Sequence, residues 1–193
     1  MKNLSLPLIL SLFIFTSCGC HYYGIKSGLN VTTIDGDDTV DFQPKLGFNA
    51  GGYYEICIDD FVSVIPEVQY SQQGAKYSKS TGADGTLNLD YIYLPVTAKY
   101  KLTNALAVEA GPQVGLLLSA KDNFKSSIDS GLIDIKDELN AIDFGANFGL
   151  NYDFQNGWLL GARYSLGLSN LNETSDVIHK NRVLQFSVAF KFQ

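Results

Sequence analysis

The strongest constraint on this chain is a strict alternation of apolar and polar residues along segment 141–154. One parity is apolar throughout, and the other is mostly small or polar. The apolar set is Ile142, Phe144, Ala146, Phe148, Leu150, Tyr152 and Phe154. Because successive side chains of a β-strand point to opposite faces, this period of two predicts a strand between two different environments.

Seven further segments alternate in the same way, near 23–31, 46–56, 62–71, 92–102, 106–119, 158–169 and 184–192. Tight turns at 59–60, 103–104 and 155–157 separate some of them. Long polar stretches near 34–45, 73–87, 121–139 and 170–181 separate the others. An even strand count with alternating short turns and long loops is typical of outer membrane barrels. We therefore predict an all-β fold, an eight-stranded antiparallel up-and-down transmembrane β-barrel.

Side-chain volume predicts which face points outwards. The apolar face carries the large residues, among them Phe148, Trp158 and Phe186, whereas the polar face is rich in Gly, Ser and Asn. The interior of an eight-stranded barrel is only just filled by side chains, so the bulky face must look outwards. In water such a band would cost tens of kcal/mol at ~25 cal/mol per Å², a cost that lipid removes. At the short-turn end we expect an aromatic girdle of Tyr100, Phe154, Trp158 and Phe192.

The inward parity carries charges of both signs in equal number. Its ten members are Lys26, Glu55, Glu67, Lys99, Lys101, Glu109, Asp143, Asp153, Arg163 and Lys191. An unpaired charge in so confined a space is expensive, so we predict a structural network of ion pairs in the lumen. Lys99 and Glu109 flank one tight turn and are the expected cross-strand partners. The network would be either a sealed core, which we favour, or the gate of a pore.

Three prolines lie inside predicted strands, where proline removes a ladder donor. They are Pro66, Pro95 and Pro112. A closed barrel has no edge on which to place them, so we expect β-bulges there.

The first twenty residues resemble an export signal. Lys2 precedes an apolar stretch from Leu4 to Phe15, and small residues follow it. We predict a signal peptide over 1–20 and a barrel domain over 21–193. The segment ending in Cys18 loosely resembles a lipoprotein box, which leaves lipidation of Cys18 open. Removal of the signal would leave Cys57 alone, so we expect no disulfide.

No feature predicts a catalytic residue, a cofactor or a metal site. With 14 Lys and Arg against 20 Asp and Glu, the net charge of −6 disfavours nucleic-acid binding. Ser175, Asp176 and His179 share one loop, and we favour a solvated polar segment there over the alternative of an acyltransferase site that modifies lipid A. The acidic run 35–38 with Asp41 lacks the full ligand pattern of a known Ca²⁺ loop, so we favour a solvated acidic loop over loose Ca²⁺ binding.

Several stretches resemble the PorT-type outer membrane β-barrel family of Bacteroidota. They are Tyr23–Asn30, Pro66–Lys76, Tyr93–Tyr100, Gly111–Gly115, Gly161–Asn170 and Asn181–Phe192. The resemblance implies a barrel of the OmpA/OmpX architecture in the bacterial outer membrane. It also implies a link to protein secretion, which is the role of the family's founding member. Such barrels usually end in an aromatic residue, whereas here Gln193 follows Phe192.

Together these features predict an integral outer membrane barrel with a structural or binding role in the cell envelope and no catalysis. Its expected partners are lipopolysaccharide, phospholipid and an envelope or secretion protein. The termini and short turns would be periplasmic and the long loops extracellular. Two alternatives stay open: a lipid-A-modifying enzyme, and a soluble periplasmic ligand-binding barrel with the apolar face inside.

Overall fold

The fold is that of a computed structural model, which describes residues 20–36, 41–78, 84–125, 130–172 and 178–192. The predicted signal peptide, except for its last residue, and Cys18 lie outside these ranges. Within them, no helix has the length and apolar character needed to cross a membrane.

Ten strands and one short 3₁₀ turn make up the described chain. In order they are β1 (His21–Gly36), β2 (Asp41–Gln43), β3 (Lys45–Cys57), β4 (Val62–Ser78), β5 (Asp84–Lys101), β6 (Leu106–Lys125), β7 (Ser130–Asp134), the turn Lys136–Glu138, β8 (Ile142–Asp153), β9 (Trp158–Gly167) and β10 (His179–Phe192).

Eight of these strands form a closed antiparallel ring, in the order β1, β3, β4, β5, β6, β8, β9, β10 and back to β1. The two short strands add to it, since β2 pairs with β4 and β7 pairs with β6. Closure removes every edge from the ring, because each strand satisfies its backbone groups against two neighbours. The predicted eight-stranded barrel is confirmed.

The large apolar side chains face outwards and the charged ones face the axis. Phe148, Leu116 and Phe186 are 53%, 52% and 51% exposed, whereas Arg163 and Glu109 are each only 6% exposed. The alternative of a soluble barrel with these apolar side chains inside is therefore wrong.

Aromatic side chains gather on the outer face at the short-turn end. Trp158 lies 5.0 Å from Phe190 between ring centroids, and Tyr23 lies 5.3 Å from Phe192. Tyr100 and Phe154, also expected here, are exposed on the same rim. A girdle of aromatic rings at this end of the band is typical of the boundary between hydrocarbon and headgroups.

Strands β4, β5 and β6 run well beyond the apolar band, which was not expected. On β5, the outward apolar side chains span Ile92 to Tyr100, while Asp84–Tyr91 continues as strand. Most of the predicted long loop at 73–87 is therefore strand. Eight residues at about 3.3 Å each carry this extension roughly 25 Å further along β5.

The inside of the extension is apolar. Its buried members are Ile34, Ala75, Leu89, Tyr91, Tyr93, Leu117, Ala120, Leu139 and Leu171. We call this set the apolar cap. Leu139 and Leu171 reach it from two different connections, which a bridge between Leu139 and Asn172 holds together. The cap fills the barrel at its long-connection end.

The prolines do not produce bulges, so that prediction is wrong. Tyr53 pairs with Glu67 and Ile56 with Val64, which is the same register on both sides of Pro66. The register is likewise unchanged past Pro95, and Pro112 pairs directly with Ala146. Individual ladder positions are skipped near Pro66 and Pro95 instead. Between β5 and β6, the register shift lies at Asp90/Tyr91, where the apolar cap begins.

The short turns carry local side-chain caps. Asp59 Oδ1 accepts hydrogen bonds from the backbone N–H groups of Phe61 and Val62, both at 2.7 Å. These donors hold the pKa of the Asp59 carboxyl below its usual range. In the next turn, Thr103 Oγ1 accepts from the N–H of Leu106 at 2.9 Å. Both turns lie where the sequence predicts them.

Cys57 is not a lone thiol, and the expectation of no disulfide is wrong. It is bonded to Cys20, with their Cα atoms 5.5 Å apart. The partner was missed because Cys20 falls within the segment assigned to the signal peptide.

Candidate functional site: the charged lumen

Arg163 is the centre of the charge network inside the barrel. Its Nη1 and Nη2 donate to the two carboxylate oxygens of Glu67 at 3.0 and 2.6 Å, and its Nε donates to Glu109 at 2.6 Å. The planar guanidinium suits this task, because its donors form a fixed fork that can hold two carboxylates at once. One cation on β9 thus joins β4 to β6 across the lumen.

Two lysines complete the network. Lys26 forms a close ion pair with Glu67, and Lys99 forms one with Glu55. The side chains of all six members are at least nine-tenths buried. Three cations therefore face three carboxylates, which leaves this part of the lumen electrically neutral. We call these six residues the lumen network: Lys26, Glu55, Glu67, Lys99, Glu109 and Arg163.

Glycines on the inward face make room for these long side chains. A Cβ at Gly149 would lie 2.8 Å from Glu109 Oε1 and 2.9 Å from Glu109 Cγ. The space that remains within the lumen network is about 40 Å³. This volume accommodates an ordered water or two, but no continuous aqueous path.

Lys99 and Glu109 face each other in register, but they do not form the predicted ion pair. Their Cα positions are partners across β5 and β6. Lys99 instead pairs with Glu55, while Glu109 receives hydrogen bonds from Arg163 and from Asn151 Nδ2 at 2.8 Å. The guanidinium reaches Glu109 from the β8 side, past Gly149, which lies between the two residues in register, whereas Lys99 lies on β5 at the other side of Glu109.

Three of the ten predicted lumen charges lie towards the short-turn end, apart from the lumen network. Lys191 Nζ and Asp153 Oδ2 form a separate pair at 2.7 Å. The same ammonium lies 5.0 Å from the ring centroid of Tyr22, a cation–π distance. Lys101 is only half-buried and lies on the rim.

Asp143, the remaining predicted member, has neutral partners in a second polar layer. Its carboxylate accepts from the hydroxyls of Tyr93 and Ser169, each at 2.5 Å, and from Asn181 Nδ2 at 3.5 Å. Short hydroxyl-to-carboxylate bonds of this kind are stronger than bonds between neutral groups, and they fix the position of the carboxylate. Asp143 therefore belongs to a hydrogen-bonded layer rather than to an ion pair.

Buried amides and hydroxyls fill this layer, between the lumen network and the apolar cap. Asn49 Nδ2 donates to Asn30 Oδ1 at 2.6 Å, and Asn30 Nδ2 donates to Ser71 Oγ at 3.0 Å. Gln69 Nε2 donates to Asn49 Oδ1 at 3.2 Å. These residues share the inward parity of the charged ones, but the sequence analysis singled out charge alone and left them out.

The loop proposed as an acyltransferase site is only partly described. His179 Nδ1 lies 2.7 Å from Asn172 Nδ2, and the His179 ring meets Phe42 edge-on at 5.4 Å. Ser175 and Asp176 lie outside the described residues.

The acidic run considered for Ca²⁺ is likewise only partly described. Asp35 pairs with Arg182 at 2.8 Å, while residues 37 and 38 lie outside the described ranges. Within those ranges, no three His, Cys, Asp or Glu side chains are grouped as a metal site would require.

Comparison with known proteins gives a family and a fold. The family described as outer membrane protein β-barrel domain matches residues 21–173. The chain is 17% identical to Ail, the attachment invasion locus protein of Yersinia pestis, over 89% of this chain and 98% of Ail, with a TM-score of 0.56. It is 15% identical to Neisserial surface protein A, over 88% of this chain and 97% of that one, also with a TM-score of 0.56. No curated protein matches the chain.

Proposed function

We propose, because this chain belongs to the outer membrane protein β-barrel domain family, that it is an integral barrel with a structural or binding role in the envelope and without catalysis. The observation that carries this proposal is a lumen closed at two levels, by the lumen network inside the outward apolar band and by the apolar cap beyond that band. Lipopolysaccharide and phospholipid contact the band. The barrel wall then anchors the extension of β4, β5 and β6 in the membrane.

The closed lumen favours an anchor over a pore. The lumen network fills the half of the lumen nearer the short turns with neutralised charge. The apolar cap fills the lumen at the long-connection end. Opening a path would require separating buried ion pairs and hydrating apolar side chains, and both steps are costly.

The proposed orientation places the short turns in the periplasm. The turns at 58–61, 102–105 and 154–157 lie at one end, together with Cys20 and the end of β10. Outer membrane barrels keep their short turns on the periplasmic side and their longer connections outside. The extension of β4, β5 and β6 would then project from the cell surface.

The outer face of the extension is the proposed binding surface. It is more polar than the band below it, with Lys121, Asn123 and Lys125 exposed along β6 and Leu132 of β7 exposed opposite Asn123. Its proposed partner is an envelope or secretion protein. The secretion link is supported by the PorT-type resemblance of stretches such as Tyr93–Tyr100.

Cysteine labelling in intact cells tests the orientation. Asn123→Cys should react with a membrane-impermeant maleimide in intact cells, whereas the matched Thr103→Cys in a short turn should react only after the outer membrane is permeabilised. Labelling in the opposite order would overturn the orientation.

Crosslinking and lipid analysis test the role. A photo-crosslinker at position 123 should capture one envelope protein reproducibly, and the same group at the lipid-facing Leu150 should capture lipid alone. Equal capture at both positions would argue against the binding surface. In His179→Ala, the lipid A mass spectrum should stay unchanged, and a changed spectrum would favour the enzyme.

A further inference from the structure

The disulfide bears on how the chain is processed. Cys57 is the last residue of β3, and Cys20 directly precedes β1. The ladder between β1 and β3 places His21 opposite Ile56, so the two cysteines are the next pair in register. The backbone N–H of Cys57 also donates to the carbonyl oxygen of Cys20 at 3.1 Å. Cys20 is therefore part of the folded barrel.

The bond joins two strands whose connection is long. The two cysteines are 37 residues apart in sequence, and the chain between them contains β1, β2 and most of β3. Strands β1 and β3 are neighbours in the ring, and β1 also forms the closing seam with β10. A covalent link at the short-turn end therefore holds β1 against β3 where no tight turn does so.

We infer that signal peptidase cuts the chain at or before the Gly19–Cys20 bond, so that Cys20 remains in the mature barrel and is oxidised onto Cys57. The predicted boundary after residue 20 would remove one of the two sulfur atoms. It would also put a charged amino group at His21, whose ring stacks on Tyr54 at 5.8 Å.

The oxidation is a thiol–disulfide exchange with an oxidised dithiol protein of the periplasm. Each cysteine loses its proton, and the Sγ–Sγ bond forms. The two electrons and two protons pass to the oxidant, whose disulfide is reduced to a dithiol. Such bonds persist in the periplasm because that compartment is oxidising.

Intact-mass measurement of the full-length protein, exported with its own signal and isolated from outer membranes, tests the inference. We expect an amino terminus at residue 18, 19 or 20. We also expect Cys20 and Cys57 to resist alkylation in denaturant until a reductant is added, after which both react. An amino terminus at His21 or later, or alkylation of Cys57 without reductant, would overturn the inference.

Single cysteine variants identify the partner of Cys57. Cys20→Ser should leave Cys57 fully alkylated without reductant, and Cys57→Ser should do the same for Cys20. In the matched variant Cys18→Ser, Cys57 should stay protected to the wild-type extent. The opposite pattern, with protection lost in Cys18→Ser and kept in Cys20→Ser, would assign the bond to Cys18 and contradict the inference. Each variant is isolated from outer membranes before its masses are compared, so that only exported and inserted protein is scored.

Discussion

Replacing Arg163 should be among the most damaging single substitutions in the lumen. Arg163→Met removes three hydrogen bonds to carboxylates and changes the net charge of the lumen network from zero to −1. Glu67 keeps Lys26, but Glu109 keeps only Asn151. Removing one partner of a buried ion pair costs about 3–5 kcal/mol, because the other charge stays buried without compensation. We expect a loss of that size in the free energy of unfolding.

A compensating variant separates the charge effect from the loss of packing. Arg163→Met with Glu109→Gln restores neutrality, since two cations then face two carboxylates. It should recover more than half of the loss. The exposed-rim control is Lys191→Met, which breaks a partly solvated pair and should cost about 1 kcal/mol or less. Urea unfolding in lipid vesicles, followed by the fluorescence of Trp158, measures all three. A single variant as stable as the rim control, or a double variant no better than the single, would refute the reasoning.

Three further perturbations follow from the structure. Phe148→Arg, in the middle of the lipid-facing band, should destabilise the barrel by about 2–4 kcal/mol in vesicle unfolding, and no loss would contradict its lipid contact. Gly28→Ala should lower the free energy of unfolding by about 1–3 kcal/mol, because the new Cβ collides with a neighbouring backbone carbonyl. The control Gly52→Ala, whose Cβ would have its nearest neighbour 3.6 Å away, should be nearly neutral in the same assay. The Tyr77 hydroxyl donates to Asp122 at 2.8 Å, and burial, together with that carboxylate, raises the pKa of Tyr77 to about 12. Asp122→Asn should lower the pKa of Tyr77 towards about 10, and NMR titration of the ring measures this shift.

The same tyrosine has a defined effect on stability. The folded pKa of Tyr77 lies above its unfolded value near 10, so the folded state holds the proton more tightly. Its contribution is complete below pH 10 and is lost as the pH rises towards 12.

The sequence predicts the band well and the extension poorly, for one physical reason. Where lipid surrounds the barrel, apolar side chains such as Leu94 face outwards and the alternation is clear. Above Asp90 the surroundings favour the opposite arrangement, so Leu87 and Leu89 turn inwards while polar residues face out. Within one strand, the apolar side chains thus change from the outward face to the inward face. A search for outward apolar residues alone therefore takes the second part of the strand for a polar loop.

The alternation of inward and outward residues does not predict which charged side chains pair with each other inside the lumen. Alternation assigns Lys99, Glu55 and Glu109 to the inward face, but it does not say which carboxylate the ammonium reaches. That choice depends on Arg163, which is 54 residues from Glu109 in sequence and reaches it past Gly149, the residue between them in register. Cys20 was missed for a different reason, since its role depends on where processing ends.

Quenching by brominated lipid tests most directly that the apolar face contacts hydrocarbon. The chain has a single tryptophan, so Trp158→Phe with Phe148→Trp moves the probe to the middle of the band. In vesicles of lipid brominated along the acyl chains, its fluorescence should be strongly quenched, while aqueous iodide should leave it almost unchanged. Strong quenching by iodide with none by the brominated chains would contradict the membrane-spanning barrel.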